Sequence, residues 1–226
     1  MADHPAEQSD SPAGGGVTVA PVARSPIGPA APTEIVAGWE VSGRRSTAPL
    51  RLADRSPLAK VLVRADDGSP TAIGLAVPFG RCARRPDGVL VIGSGPGEWL
   101  LLGALGSAGL LASGVPGGDA AAGGCSVVDL THGRALVRLT GATAATMLAK
   151  VCAVDLRERV TPNGSAFRTA VAGLAVDVVR DDLDESGEGG RSYLLHCERS
   201  SGQYLFAALL DAGREFGIDI DGFDAR

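Results

Sequence analysis

The 226-residue sequence has little of the chemistry that most enzymes display. Aromatic residues make up 4% of it, so Ala, Val, Leu and Gly must build the core. Its four cysteines form no CxxC motif, and it has three histidines. A zinc or iron–sulfur site made by this chain alone is therefore not expected. The simplest interpretation is four small, buried cysteines in a reducing compartment.

The sequence also lacks a concentration of positive charge and a long apolar run. Its formal net charge is −5 and its arginines are scattered, which argues against nucleic acid as a partner. The most apolar stretch, "WLLLGALGSAGLLASG", is broken by glycines and is too short to span a membrane. The polar, acidic start "MADHPAEQSD" does not resemble a signal peptide. A cytoplasmic protein without a membrane segment is expected.

Composition divides the chain into a tail and one larger unit. Residues 1–46 are rich in Ala, Pro, Gly and Ser, which predicts a disordered tail. Trp39 in this tail is either a docking residue, which is favoured, or a residue without a role. Residues 47–226 form the folded domain. Within it, 47–116 are predicted as a mainly β half and 125–226 as a second half, separated by a flexible Gly/Ala-rich break.

The first half contains several predicted strands. Alternation indicates a strand near Ala59–Val63, and "TAIGLAVPFGRC" and "GVLVIGSG" are interpreted as further strands. Trp99–Leu102 is predicted to pair back as the second arm of a hairpin. The glycines of "GSGPGE" do not form a nucleotide-binding loop, because Glu98 occupies the last glycine position of that motif.

The second half predicts strands alternating with two helices. The strands are "SVVDL", "RALVRL", a hairpin about Gly173, and "SYLLHCE". A helix follows a cap at Thr140 or Gly141, and a longer one follows Ser200 or Ser201. The predicted core positions of the longer helix are Tyr204, Leu205, Ala208, Leu209 and Ala212. The fold class is therefore α+β, with antiparallel sheets, packed helices and a split βαβ, ferredoxin-like C-terminal half.

One short segment, "DLTHGR", invites a catalytic interpretation. Asp129 and His132 lie on opposite sides of an extended strand and meet only if a turn begins at Leu130. In such a turn Asp129 is expected to accept backbone N–H bonds. His132 then fits a turn or a subunit contact, and no third group completes a catalytic set nearby.

Other polar residues leave alternatives open. His196 and Cys197 are neighbours on a strand and point to opposite faces, so they do not form a nucleophile pair. Asp177 is either an outward residue of a half-exposed strand, which composition favours, or a carboxylate in a groove. Arg134 and Arg138 share a strand face and either clamp an anionic ligand or form an interface, the interface being favoured.

These segments together resemble a known family. "VVDLTHGRALVRLTGATAATMLAKVCAVDL", the upstream "GPGEWLLLG" with Glu98 and Trp99, and the later "GSAFRTAVAGLAVDVV" and "YLLHCERSSGQYLFAALLDAGREFG" resemble the gamma subunit of bacterial heterotetrameric sarcosine oxidase. The resemblance runs from about Pro49 to Gly217. That family is similar in fold to the folate-binding aminomethyltransferases, such as the T-protein of glycine cleavage.

The resemblance points to Asp177 as a possible folate carboxylate. In the aminomethyltransferases a Gly-x-x-x-Asp-Asp hairpin supplies a carboxylate near folate, and Gly173 to Asp177 match its beginning. Val178 replaces the second acid, and the chain is shorter than a T-protein. Both departures fit a copy of the fold that is kept for assembly, with no catalytic residues.

The resemblance implies a complex and its chemistry. Such a complex oxidatively demethylates sarcosine to glycine with oxygen and tetrahydrofolate, giving hydrogen peroxide and methylenetetrahydrofolate or formaldehyde. FAD, FMN, NAD, tetrahydrofolate and zinc are expected on the alpha, beta and delta subunits, and no cofactor or metal on this chain. The alternative is a stand-alone, folate-binding aminomethyltransferase-like protein.

Overall fold

The computed structural model describes residues 21–116, 124–183 and 190–224. The predicted tail at 1–20 and most of the predicted break, 117–123, lie outside the described residues. The described part is an α+β fold with three sheets, mostly antiparallel, and a few short helices. The predicted fold class is confirmed.

The largest sheet has six strands. In spatial order they are β11 (Ala166–Val171), β12 (Leu174–Arg180), β13 (Ser192–Glu198), β10 (Arg134–Gly141), β4 (Leu50–Asp54) and β14 (Ile218–Asp221). Neighbours are antiparallel, except that β14 runs parallel to β4. Helices α3 (Ala144–Leu148) and α4 (Gly202–Gly213) pack on one face of this sheet. Together they enclose the main apolar core.

The second sheet has five antiparallel strands. In spatial order they are β6 (Cys82–Arg84), β7 (Leu90–Gly95), β8 (Glu98–Leu105), β5 (Leu58–Ala65) and β9 (Cys125–Asp129). Helices α1 (Pro70–Leu75) and α2 (Ala108–Ser113) lie against its outer face. Trp99 is buried there and donates its indole N–H to the carbonyl of Val77 at 2.8 Å.

The two large sheets face each other across an apolar layer. Its buried members are Leu90, Ile92, Leu100, Leu102, Leu136, Ala166, Val179 and Leu194. Strand alternation explains the arrangement, because Leu136 points into this layer whereas Ala135 and Val137 point to the helices. The molecule is therefore layered as helices, sheet, sheet, helices.

The predicted division into halves at 116 and 125 differs from the observed topology. Strand β4 precedes the break but joins the six-stranded sheet, and β9 follows it but joins the five-stranded sheet. Leu50 and Leu52 of β4 are fully buried against α3 and α4. The local sequence pattern indicates that a strand is present, but the strand that it pairs with is determined by such long-range packing.

Part of the predicted disordered tail is ordered. Strands β1 (Ala23–Arg24), β2 (Thr33–Val36) and β3 (Trp39–Ser42) form a small sheet in the order β1-β3-β2. Trp39 is 6% exposed and packs with Val41 and Phe223. The tail prediction was wrong for this segment, because its apolar partners lie far away in sequence.

Three local predictions were also wrong. The stretch interpreted as the strand "TAIGLAVPFGRC" begins with α1, where the Ser69 hydroxyl accepts the Ala72 N–H at 3.2 Å and Pro70 starts the helix. Helix α3 is preceded by Thr143, since Gly141 still belongs to β10. In α4, Tyr204 is 58% exposed and Phe206 is buried instead.

Candidate functional site

A cavity of about 140 Å³ lies between the two large sheets. We call it the inter-sheet cavity. Its apolar walls are Leu62, Ile92, Leu100, Leu102, Leu130, Leu136, Val179 and Leu194. Its polar lining residues are Arg64, Ser94, Glu98, Arg134, Arg168, Asp177 and His196.

Asp177 is the centre of the polar side of the inter-sheet cavity. Strand register places it beside Arg168 on β11 and His196 on β13. Its two carboxylate oxygens accept bonds from the Arg168 guanidinium at 2.7 and 2.9 Å, and one lies 3.2 Å from Nδ1 of His196. Asp177 therefore lies in a groove and does not face outward from a half-exposed strand, whereas its role as a site carboxylate stays a prediction.

The electrostatics of this trio follow from burial and pairing. Burial raises the pKa of Asp177, but the hydrogen bonds from His196 and Arg168 outweigh it and lower that pKa to about 2. Burial lowers the pKa of His196 by more than the neighbouring carboxylate raises it. At neutral pH the trio therefore contains a carboxylate, a guanidinium and a neutral imidazole.

The hydrogen bond to Asp177 fixes the tautomer of His196. A carboxylate only accepts, so Nδ1 carries the proton and Nε2 is left with a lone pair. Nε2 is buried and has no hydrogen-bond partner within the part of the chain that is described. Cys197 points the other way, into the helix-covered core, so the expected separation of His196 and Cys197 is confirmed.

Two further ion pairs flank the inter-sheet cavity. The Arg64 guanidinium lies 2.7 Å from the Glu98 carboxylate, whose other oxygen accepts the Ser94 hydroxyl at 3.2 Å. Arg134 pairs with Glu198 at 2.5 Å. Glu98 and Arg134, singled out from the sequence, therefore line one cavity together with Asp177.

The segment Asp129–Arg134 is a structural turn. The Asp129 carboxylate accepts the Thr131 N–H at 2.8 Å, as expected for an Asx-turn, and Gly133 N–H donates to the Leu130 carbonyl at 3.0 Å. The exposed His132 ring stacks on Trp39 at 4.7 Å between centroids and 10° between planes. The imidazole therefore anchors the N-terminal sheet.

Lys60 is a buried cation that the sequence reasoning missed. It is fully buried, and its ammonium donates to the carbonyls of Ser56 and Leu58 at 2.6 and 2.8 Å. Burial lowers its pKa to about 8, with Asp54 and Asp129 opposing that shift. The only signal was its place in the alternation of "LAKVLVR", where it shares a face with Leu58 and Leu62.

Arg138 lies in a different place from Arg134. It lines an open cleft of about 760 Å³ that also contacts Arg84 and Asp181. Its side chain is 10% exposed and donates to the Asp181 carboxylate and the Ser192 hydroxyl, both at 2.7 Å. The guanidinium is therefore held within the chain, and the partner interface suggested for both arginines stays a prediction.

Other site types find no support in the described residues. Among residues 21–116, 124–183 and 190–224, no group of three or more His, Cys, Asp or Glu side chains is placed to hold a metal ion. Within the same ranges, none of the helices has the length and apolar character needed to cross a membrane.

Comparison with solved structures identifies two relevant neighbours. One is a chain of heterotetrameric sarcosine oxidase from Corynebacterium sp. U-96 in complex with pyrrole 2-carboxylate, with a TM-score of 0.63 and 25% identity. It matches over 76% of this chain and 88% of that one. The other is glycine cleavage system aminomethyltransferase T from Bartonella henselae, with a TM-score of 0.64 and 16% identity.

The aminomethyltransferase similarity covers 84% of this chain, which spans about half, 55%, of the longer protein. It shows a shared fold. No protein-family model and no curated protein matches the sequence.

Proposed function

We propose that this chain is a non-catalytic, gamma-type subunit of a heterotetrameric sarcosine oxidase. The observation that carries the proposal is the match to a chain of such a complex over 88% of that chain's length. Because 76% of this chain corresponds to 88% of the other, the two chains are of similar size. A small subunit is thus a better counterpart than a large catalytic one.

The inter-sheet cavity supports a role without chemistry. Nucleophilic catalysis needs a hydroxyl or thiol within hydrogen-bond reach of its base. The Ser94 hydroxyl bonds to Glu98, whereas His196 bonds to Asp177. The imidazole of His196 and the Ser94 hydroxyl, which both line the inter-sheet cavity, therefore belong to separate hydrogen-bond networks.

The proposed complex supplies the reaction through its other subunits. It would oxidise sarcosine to glycine with oxygen, and pass the methyl carbon to tetrahydrofolate or release it as formaldehyde. FAD, FMN, NAD, tetrahydrofolate and zinc would bind to the alpha, beta and delta subunits in the cytoplasm. This chain would contribute a rigid surface for assembly.

Co-expression tests the proposal. The chain is produced with the alpha, beta and delta subunits of its own organism, and the complex is purified through a tag on another subunit. We expect this chain to co-purify, and its omission to reduce the yield of active complex. A monomer that demethylates sarcosine unaided would refute the proposal.

The second candidate is a folate-binding, aminomethyltransferase-like protein. Asp177 favours it, because its carboxylate lines a cavity of the shared fold. The volume argues against it, since sites for ligands the size of tetrahydrofolate measure about 300–1,000 Å³ and this one about 140 Å³.

Calorimetry with tetrahydrofolate on the isolated chain separates the two candidates. Micromolar binding that Asp177→Ala abolishes and Asp155→Ala preserves would favour the folate-binding protein. Asp155 is a suitable control because it forms an exposed ion pair with Arg157.

A further inference from the structure

The outer layer formed by α1 and α2 carries no charged side chain. It consists of residues 69–80 and 103–116, and we call it the charge-free face. Charged residues make up 21% of the sequence, so about five would be expected in segments of this combined length. The Thr71 hydroxyl donates to the carbonyl of Pro116, so the two segments join into one surface.

The charge-free face exposes apolar groups to solvent. Thirteen of its residues are exposed, and Ser113 is the only one of these with a polar side chain. Leu110, Ile73 and Phe79, which belong to this face, are the three most exposed large apolar side chains among the described residues, at 77%, 69% and 64%. Apolar surface that is concentrated in one place marks an interaction site on a globular protein.

Both helices are apolar on their inner sides as well. Leu75 of α1 and Leu111 of α2 pack on the apolar core of the five-stranded sheet. A helix that is apolar all round is normally covered on every side. Helix α4 in the opposite outer layer differs, because Asp211 on its outer side pairs with Arg214 in solvent. The layer of α1 and α2 therefore requires a cover that the layer of α4 does not.

This chain has little with which to cover the charge-free face itself. The parts of the sequence outside the described residues contain three large apolar residues, Met1, Val17 and Val19. Residues 117–123, which follow α2 directly in sequence, are Gly, Ala and Asp only. The apolar groups that cover this face therefore belong to another molecule.

The absence of charge defines the surface of that molecule. A charged group brought against the charge-free face would lose its water and meet no counter-charge there. The partner surface must therefore be apolar and uncharged at its centre. Exposed charged residues return at the borders of the first segment, at Asp67 and Arg81. An apolar centre with a polar rim is the usual composition of a protein–protein interface.

We propose that the charge-free face docks onto an apolar, uncharged surface of a larger, catalytic subunit of the sarcosine oxidase complex. This inference rests on the proposed assembly role. A complex of four different subunits contains one copy of this chain, so a second copy does not cover the face within it. Burial of Leu110, Ile73 and Phe79 against the larger subunit provides the free energy of docking.

Co-expression with the alpha, beta and delta subunits, followed by purification through a tag on another subunit, tests the docking surface. Ile73→Glu and Leu110→Glu each place a charge on the charge-free face, so each should reduce the amount of this chain retained in the complex at least tenfold. Tyr204→Glu places the same charge on α4, where Tyr204 is 58% exposed, and should leave retention unchanged. Ile73→Val keeps an apolar side chain and should also leave it unchanged.

The comparison requires that the variants fold. Ile73 and Leu110 are mostly exposed, so their replacement removes little packing within the chain. The circular dichroism spectrum and the urea midpoint of each isolated variant should therefore match those of the unmodified chain. If one of the two Glu variants does not fold, the other decides the result.

Three outcomes would overturn the docking surface. The first is full retention of both Glu variants. The second is an equal loss with Tyr204→Glu, because the loss would then not depend on the charge-free face. The third is a stable dimer of the isolated chain that Ile73→Glu dissociates, because a second copy would then cover this face. All three leave the assembly role intact, whereas absence of the unmodified chain from the complex would refute that role and the docking with it.

Discussion

The two faces of the six-stranded sheet are built differently, although the same strands form both. On the helix-covered face, Tyr193, Leu195 and Cys197 of β13 are buried with apolar residues from α3 and α4. On the face toward the second sheet, His196 of the same strand meets Asp177 and a cavity. The helix-covered face therefore contributes mainly apolar packing, whereas the inter-sheet face places charged groups in apolar surroundings.

This contrast suggests that the two faces of the sheet contribute differently to stability and to its pH dependence. Dense apolar packing stabilises a fold but leaves no space for a ligand. Buried ion pairs add little net stability and fix geometry instead. The helix-covered face should therefore dominate the free energy of unfolding, and the inter-sheet face should dominate its pH dependence. Substitutions on each face test this directly.

The largest expected effect comes from the helix-covered face. Leu195→Ala removes a fully buried side chain from the main core and should lower the free energy of unfolding by about 3–5 kcal/mol. Leu100→Ala, beside the inter-sheet cavity, should cost about 2–3 kcal/mol, since part of its environment is already open. Urea unfolding measures both.

The same two variants can contradict the claim that the helix-covered face dominates the free energy of unfolding. Leu100→Ala costing as much as Leu195→Ala, or more, would mean that the inter-sheet layer is as cohesive as the helix-covered core. The claim that the two faces contribute unequally to the free energy of unfolding would then be wrong. The free energies of the two variants can be compared only if their m-values are unchanged, since a changed m-value indicates an altered native or denatured state.

The next effect is a rise in stability at alkaline pH caused by Lys60. The folded-state pKa is about 8, below the ordinary 10.5, so between these values the unfolded chain binds more protons. Stability should therefore rise as the pH increases from about 8 to 10.5, by about 2–3 kcal/mol. Lys60→Met should flatten that rise, and urea unfolding at several pH values measures it. A profile that falls with pH in both proteins would contradict the buried cation.

A smaller effect is expected at Asp177. Asp177→Asn keeps the shape of the side chain but removes a carboxylate that accepts bonds from Arg168 and His196, and should cost about 1.5–3 kcal/mol at pH 7. The folded pKa is depressed to about 2 from 3.8, so this stability is present above pH 4 and lost as the pH falls towards 2. Acid titration of the free energy of unfolding measures the loss, which Asp177→Asn should lack.

Asp155 is the matched control for Asp177. It also pairs with an arginine, and its pKa is also lowered to about 2, by hydrogen bonds from Arg157, but its pair is open to solvent, with the Arg157 side chain 67% exposed and that of Asp155 32%. Solvent and salt screen such pairs, so Asp155→Asn should leave stability unchanged. If Asp177→Asn and Asp155→Asn lowered the free energy of unfolding equally, the inter-sheet position of Asp177 would add nothing to the strength of its ion pair.

The sequence predicted the parts of the fold that depend on local pattern. Alternation located β5 and β13, and turn glycines located the hairpin about Gly173. The Asx-turn at Asp129 followed from residue chemistry alone. These features are set by neighbours in sequence.

The parts that were missed depend on distant contacts. Whether Asp177 faces solvent or a groove depends on the second sheet packing over β12, which local pattern does not encode. Arg138 binds Asp181, which lies 43 residues further along the chain. Trp39 of β3 packs on His132 and Phe223, which are also distant in sequence. Helix α1 is the exception, since Ser69 and Pro70 offered a local capping signal that was overlooked.

The smallest effect concerns the attachment of the N-terminal sheet. His132→Ala removes the ring that stacks on Trp39 and should cost about 0.5–1.5 kcal/mol, the usual range for aromatic pairs. Because Trp39 also packs on Val41 and Phe223, the sheet should stay folded and only its anchoring should weaken. Hydrogen exchange then should quicken at β3 and stay unchanged at β13. Equal acceleration at both strands would mean that the stack supports the whole six-stranded sheet, and that the N-terminal sheet is part of the main cooperative unit.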